Sequence, residues 1–121
     1  LIEPDLFIEA DEKLITKAVA NVISNSVKYC EVAGTVTTTL QRADATHISL
    51  TISNSGSYIA ESLLAKIFEP FYRAEKSRNR KTGGSGLGLF IAKKRLDMHH
   101  FQYSITNVPN SVLFTINFTK I

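Results

Sequence analysis

The sequence predicts a two-layer α/β sandwich, in which a mixed, mostly antiparallel sheet carries three helices on one face and a mobile lid loop over about residues 72–85. Three observations carry that prediction. Apolar residues recur at helical spacing over Leu14 to Val27 and again over Leu89 to Leu96. Segments rich in β-formers come in pairs joined by short turns. Between Tyr72 and Ser85 no hydrophobic period survives, which marks a loop long enough to need a functional explanation. The 121 residues suit one domain, 1–121, large enough to bury a core without staples and too short for two.

In chain order, Leu6 to Glu9 reads as a short strand, and Asp11 is placed to cap the helix that follows. Leu14, Ile15, Ala18, Val19, Val22, Ile23 and Val27 form one apolar arc of that helix, with Lys17, Asn21, Ser24 and Lys28 on the other side. Asn25 stands at the border of the arc, where an amide buried without a partner costs about 1–3 kcal/mol. Its structural role would be a cap or internal hydrogen bond; its functional role, a ligand to metal or phosphate. Cys30, the single cysteine, reads as a small buried hydrophobe at the helix end, which excludes a disulfide framework and a thiolate metal site.

Thr35 to Leu40 and the alternating Ile48, Leu50 and Ile52 predict two strands, and the short connection Arg42 to Thr46 makes them an antiparallel hairpin. Asn54-Ser55-Gly56-Ser57 breaks the second strand. Glu61 to Phe68 is read as a short helix ended by Pro70, and the last helix as running from about Leu87 to Met98. Phe101 to Thr106 and Val112 to Phe118 then form two more strands joined through Pro109-Asn110-Ser111. His47 falls in a strand pattern, while His99 and His100 end a helix, where an imidazolium favours the dipole; all three are read as structural.

A formal net charge of +3 does not describe a nucleic-acid protein. The local charge matters more: Arg73, Lys76, Arg78, Arg80 and Lys81 crowd one stretch with only Glu75 against them, which suits a polyphosphate or, equally, a solvated loop. Gly83-Gly84-Ser85-Gly86-Leu87-Gly88-Leu89 follows and opens into a helix, so glycine backbone and unsatisfied helix donors aim at one spot. Asn21 through Tyr29 sets two amides and an ammonium along one helix edge. Two polar constellations distant in sequence thus suit one phosphorylated ligand. No apolar run approaches the ~20 residues that span a bilayer, and Leu1-Ile2-Glu3-Pro4-Asp5 lacks a signal-peptide pattern.

These pieces, in this order, resemble the catalytic ATP-binding domain of bacterial sensor histidine kinases, in the superfamily that also holds gyrase-type ATPases with the Bergerat-type fold. The resemblance covers nearly the whole chain. Asn21 to Tyr29 matches the family's asparagine box, Asn54-Ser55-Gly56 its first glycine box, Phe68-Glu69-Pro70-Phe71-Tyr72-Arg73 its phenylalanine box, and Gly84-Ser85-Gly86-Leu87-Gly88-Leu89 its second glycine box. A Rossmann reading of the glycines fails, because no strand precedes them.

The resemblance implies ATP and Mg²⁺ as cofactors. Asn25 would ligate Mg²⁺ through its amide oxygen, and Asn21 would bind phosphate or a metal-bound water, in keeping with the hard oxygen ligands magnesium favours. Lys28 would reach a phosphate, and Tyr29 and Ile59 would support the nucleotide. Asn54 and Gly56 would form the base-reading turn. The backbone at Gly84, Ser85, Gly86, Leu87, Gly88 and Leu89 would cradle the triphosphate, with Arg73, Arg80 and Lys81 closing over it and Phe68 and Phe71 anchoring the lid. The sequence departs from the family where Asn54 stands for the usual aspartate, where Tyr58 replaces a glycine, and where His99-His100-Phe101-Gln102 follows the last helix in place of glycines. An asparagine oxygen still accepts from the adenine amino group but lacks charge assistance, a deficit of about 1 kcal/mol.

Hydrolases of the superfamily carry a glutamate four residues before the magnesium asparagine, where this chain has Asn21, which has no basic carboxylate to offer. The expected reaction is therefore transfer of the γ-phosphate to a histidine on a separate dimerisation domain, absent from this chain. Expected partners are ATP and ADP, that phosphoacceptor domain and, indirectly, a response regulator, with no nucleic acid. The resemblance further implies a cytoplasmic domain of a membrane-anchored homodimeric receptor, monomeric when isolated. Two alternatives are a non-catalytic ATP-sensing module of the same fold and a gyrase-like ATPase.

Overall fold

The structure is a computed structural model that describes residues 2–29, 33–56, 59, 62, 64, 66–69 and 88–120, with the backbone alone at residue 29. Its elements follow in the order α1 (Glu12–Tyr29), β1 (Val36–Arg42), β2 (His47–Ser55), α2 (Gly88–Met98), β3 (Gln102–Val108) and β4 (Ser111–Thr119). The four strands make one open sheet in the order β1-β2-β4-β3, and every ladder is antiparallel. One isolated parallel bridge, Ile2 to Leu40, extends pairing beyond β1.

The period-2 pattern of the strands sorts the sheet into a buried and a solvated face. Ile48, Leu50 and Ile52 of β2 stand opposite Phe118, Ile116 and Phe114 of β4, and all six are buried. Serine and threonine dominate the intervening positions, such as Ser49, Thr51, Ser53 and Thr115. Ile15, Ala18 and Val22 of α1 and Leu89, Ala92 and Leu96 of α2 belong to the same core, and the two helices pack on each other.

Asp11 caps α1 as the sequence predicts: its Oδ1 accepts the Leu14 N–H at 3.0 Å, and its carbonyl starts the helical ladder by accepting the Ile15 N–H. Val27, however, is 60% exposed, and Ser26 is buried instead. Ser26 continues the row Ala18–Val22 at i+4 spacing, whereas Val27 stands about 100° further round the helix.

Three other expectations are corrected. The described residues contain two α-helices, not three. Over the expected helix Glu61 to Phe68, the described residues Ser62, Leu64 and Lys66 to Phe68 adopt a single 3₁₀ or turn conformation, with the Glu69 N–H bonded to the Lys66 carbonyl at 2.9 Å. Eight residues ahead of a proline repay little of the cost of helix nucleation. The expected strand Leu6 to Glu9 is reduced to an isolated bridge between Ile8 and Lys120. Asn54 and Ser55 do not break β2; they complete it, paired with Val112 and Ser111. The polar residues there extend the ladder because pairing with β4 outweighs their weak strand preference. Cys30, Tyr58 and the lid expected over 72–85 lie outside the described residues.

Candidate functional site

Two contacts fix how the helices lie on the sheet. The Nε2 of His99, just past α2, accepts the Asp11 N–H at 3.0 Å, and its Nδ1 bonds the Arg95 carbonyl at 2.8 Å. Nε2 thus meets a donor and Nδ1 an acceptor, an arrangement that the Nδ1–H tautomer serves. His99 also stacks on Phe101 at 5.5 Å. The C-terminal end of α2 is thereby pinned to the N-terminal end of α1, and the helices run antiparallel. Both rise by about 1.5 Å per residue, so Gly88 at the start of α2 lies about level with Asn21 and Val22 of α1.

The second contact is at the sheet. Ile8 bridges Lys120, whose N–H bonds the Thr46 carbonyl at 2.7 Å, so the chain enters α1 beside the His47 and Thr119 end of β2 and β4. α1 then packs on α2 and β2, buried along its length through Ile15, Ala18, Val22 and Ser26. The later half of α1 therefore lies beside the first turns of α2, while β2 finishes at Asn54 and Ser55, opposite Val112 and Ser111 at the start of β4.

Asn21, Asn25 and Lys28 line one stripe of α1 at i, i+4 and i+7, the two amides half-buried and the ammonium exposed. Asn54 is 6% exposed on the helix-covered face. Gly56 turns the chain with φ 72°, a conformation that favours glycine, and donates its N–H to the Asn110 carbonyl at 2.7 Å. Leu89 is buried, and among the described residues a Cβ at Gly88 would meet no heavy atom within 4 Å. A glycine at a helix N-terminus suits the approach of an anion. Phe68 makes edge contacts with Tyr103 at 5.4 Å and with Phe114 at 5.8 Å, which ties the turn ahead of Pro70 to β3 and β4. The side chain of Tyr29 and all of Phe71, Arg73, Arg80, Lys81, Gly84, Ser85, Gly86 and Leu87 lie outside the described residues.

Sequence reasoning passed over Asn107. Its Oδ1 accepts the Ile59 N–H at 3.0 Å and its Nδ2 donates to the Ile59 carbonyl at 2.6 Å. The signal was legible: Tyr103, Ile105 and Asn107 alternate on the inner face of β3, where a third apolar residue was due.

The amide oxygens of Asn21 and Asn25 are hard ligands and the Lys28 ammonium a cation, residue types that suit a metal–polyphosphate. Among the described residues no group of three or more His, Cys, Asp or Glu could hold a metal, so the metal reading rests on Asn25 and Asn21. Elsewhere, a shallow groove lined by Asp97, Phe101, Gln102, Tyr103, Ser104 and Asn117 lies at the other end of the sheet and contains none of the predicted residues. There the Lys93 ammonium, 2.8 Å away, holds the Asp97 carboxyl below its usual range, while burial raises the Tyr103 phenol, which donates to Asp97 at 2.9 Å.

Residues 10–120 match the family model described as histidine kinase-, DNA gyrase B-, and HSP90-like ATPase. The sensor protein VanSB of Enterococcus faecalis is 41% identical over 108 residues, which are 89% of this chain and 24% of that protein. The chain thus spans about a quarter or less of the length of the curated relatives first matched. The catalytic domain of the histidine kinase ThkA superimposes with a TM-score of 0.81 at 31% identity, over 98% of this chain and 75% of that one. ThkA in complex with the response regulator protein TrrA superimposes with a TM-score of 0.79 at 28% identity, over 100% of this chain and 33% of that one.

Proposed function

Since the chain belongs to the family of histidine kinase-, DNA gyrase B- and HSP90-like ATPases, as a catalytic ATP-binding domain of the sensor histidine kinase type, we propose that it binds Mg·ATP and donates the γ-phosphate to a histidine on a dimerisation domain outside residues 1–121. What supports this reading is the family match over residues 10–120, together with the Asn21–Asn25–Lys28 stripe on α1, which the His99 contact sets beside α2, and the buried Asn54 at the end of β2.

In that reading Asn25 holds Mg²⁺ through its amide oxygen, Asn21 binds phosphate or a metal-bound water, and Lys28 neutralises a phosphate oxygen. Asn54, low in a buried position, accepts from the adenine amino group, and Ile59 and Tyr29 flank the base. Backbone N–H groups from Gly84 to Leu89 cradle the phosphates, and Arg73, Arg80 and Lys81 close over them from a lid anchored at Phe68 and Phe71. The bound Mg²⁺ would supply charge neutralisation between phosphates. What the protein adds is position, exclusion of water and fixed positive potential, which are most of what phosphoryl transfer requires.

Asn21 separates this proposal from the gyrase-like alternative, because it leaves the position four before Asn25 without a carboxylate to activate water. Asn54 favours one second reading, a module that senses ATP without transferring it, since it lacks the charge of an aspartate. Proposed partners follow from the transfer reading: ATP and ADP, the phosphoacceptor domain and a response regulator. The whole protein is proposed to be a membrane-anchored homodimer with this domain in the cytoplasm; no helix among the described residues is long and apolar enough to cross a membrane. Incubation with γ-labelled ATP and a supplied dimerisation domain tests the proposal. Label on the acceptor histidine supports transfer, whereas tight nucleotide binding without transfer favours the sensing module.

A further inference from the structure

The loop that leaves the end of β2 is held by the hairpin of β3 and β4, from positions about fifty residues further along the chain. One tie is the Gly56 N–H to the Asn110 carbonyl at 2.7 Å, with Asn110 itself in the left-handed region at φ 61°. The other is the double bond pattern between the Asn107 amide and both backbone polar groups of Ile59, at 3.0 and 2.6 Å. A backbone N–H can only donate and a carbonyl can only accept, so both bonds fix the amide orientation, and Asn107 imitates a paired strand residue.

The sheet register adds the reason this matters. Asn54 pairs with Val112, and Val112 pairs with Asn107, so the two asparagines lie at the same level of the same face with one strand between them. Asn54 is buried and Ile59 half-buried. Asn107 therefore anchors the fifth residue after Asn54 from the same plane on which Asn54 stands.

We propose that Asn107 is a positioning residue for the adenine pocket: by gripping the Ile59 backbone it sets where Ile59 sits relative to Asn54, and so determines affinity for the base and not for the phosphates. This rests on the nucleotide reading above. Because Asn107 acts through Ile59, its loss affects adenosine, ADP and ATP by a common factor. Loss of a phosphate contact would instead separate the three.

The test titrates wild type, Asn107→Leu and Asn107→Asp with adenosine, ADP and Mg·AMPPNP, with folding checked by circular dichroism. Asn107→Leu, of similar volume but without hydrogen bonds, is expected to weaken all three about tenfold, the scale of a lost pair of part-buried hydrogen bonds. Asn107→Asp keeps the acceptor for the Ile59 N–H but turns a carboxylate on the Ile59 carbonyl, so it is expected to bind as weakly as Asn107→Leu at pH 7. Once protonated, its O–H donates where Nδ2 did, and affinity relative to wild type at the same pH recovers as pH falls toward 4. Such recovery distinguishes positioning from mere packing, and it remains readable if Asn107→Leu does not fold. Wild-type affinity in both variants at pH 7, or a loss in Asn107→Asp that ignores pH, overturns the role of Asn107. Absence of nucleotide binding by folded wild type overturns the nucleotide reading itself.

Discussion

The imidazole of His99 accepts the backbone N–H of Asp11 at 3.0 Å, so the end of α2 and the start of α1 are joined by one ring that also holds the Arg95 carbonyl. This joint sets the antiparallel alignment that carries Gly88 to the level of Asn21. Replacing His99 by Phe keeps the ring stack on Phe101 but removes both hydrogen bonds. The expected loss is about 1–3 kcal/mol of unfolding free energy, measured by urea titration, with a smaller loss for His99→Gln, whose amide can serve one of the two partners.

Acid should loosen the β1–β2 hairpin in a defined window. The Asp44 carboxylate accepts the Thr46 N–H at 2.8 Å and further bonds from the His47 and Thr46 side chains, which lower its pKa from 3.8 to about 2. A depressed folded pKa means that its contribution is fully present above 3.8 and is lost as pH falls through 2. The stability difference between wild type and Asp44→Ala, followed by denaturant midpoints, should be constant from pH 6 to 5 and shrink between pH 4 and 2. A difference that persists unchanged at pH 2 would remove this assignment.

Position 27 should tolerate charge where its neighbour does not. Val27→Lys is expected to change stability by no more than about 0.5 kcal/mol, because the side chain is exposed, and it adds a cation near the helix C-terminus. Ser26→Lys should destabilise by at least about 2 kcal/mol, since it forces an ammonium into a buried row. Thermal melts of the pair check both.

These cases mark where the sequence could be read and where it could not. Strand pairing followed from alternation, as in Ile48, Leu50 and Ile52, and the cap at Asp11 followed from residue type, because both signals are local. The burial of Ser26 in place of Val27 depended on where the core axis lies across the helix, which only packing decides. Asn54 looked like a strand breaker by propensity, yet pairing with Val112 keeps it in the ladder. In the candidate site, the motif residues were legible one by one. Their spatial neighbours were not: the His99 joint sets α1 beside α2, and the sheet register sets Asn54 level with Asn107. Asn107 showed itself only as a polar residue on the inner face of β3; its partner is a backbone, so residue chemistry did not say what it binds.

Roles within the nucleotide site separate by ligand. Asn25→Ala is expected to abolish the magnesium dependence of nucleotide binding, and Asn54→Asp to tighten adenine nucleotides about fivefold, the scale of one charge-assisted hydrogen bond. Arg80→Ala and Lys81→Ala should weaken ATP more than ADP. Calorimetric affinities for ATP, ADP and adenosine distinguish these patterns; equal losses for all ligands at all four positions would point to misfolding and dissolve the assignments.

The most direct test of the account is a calorimetric titration of the folded domain with a non-hydrolysable ATP analogue, with and without Mg²⁺. Saturable binding at one site that strengthens with Mg²⁺ is the predicted result. A folded domain that takes up no analogue, or binds it identically with and without the metal, would contradict the claim that Asn21, Asn25, Lys28 and Asn54 serve a Mg·ATP site.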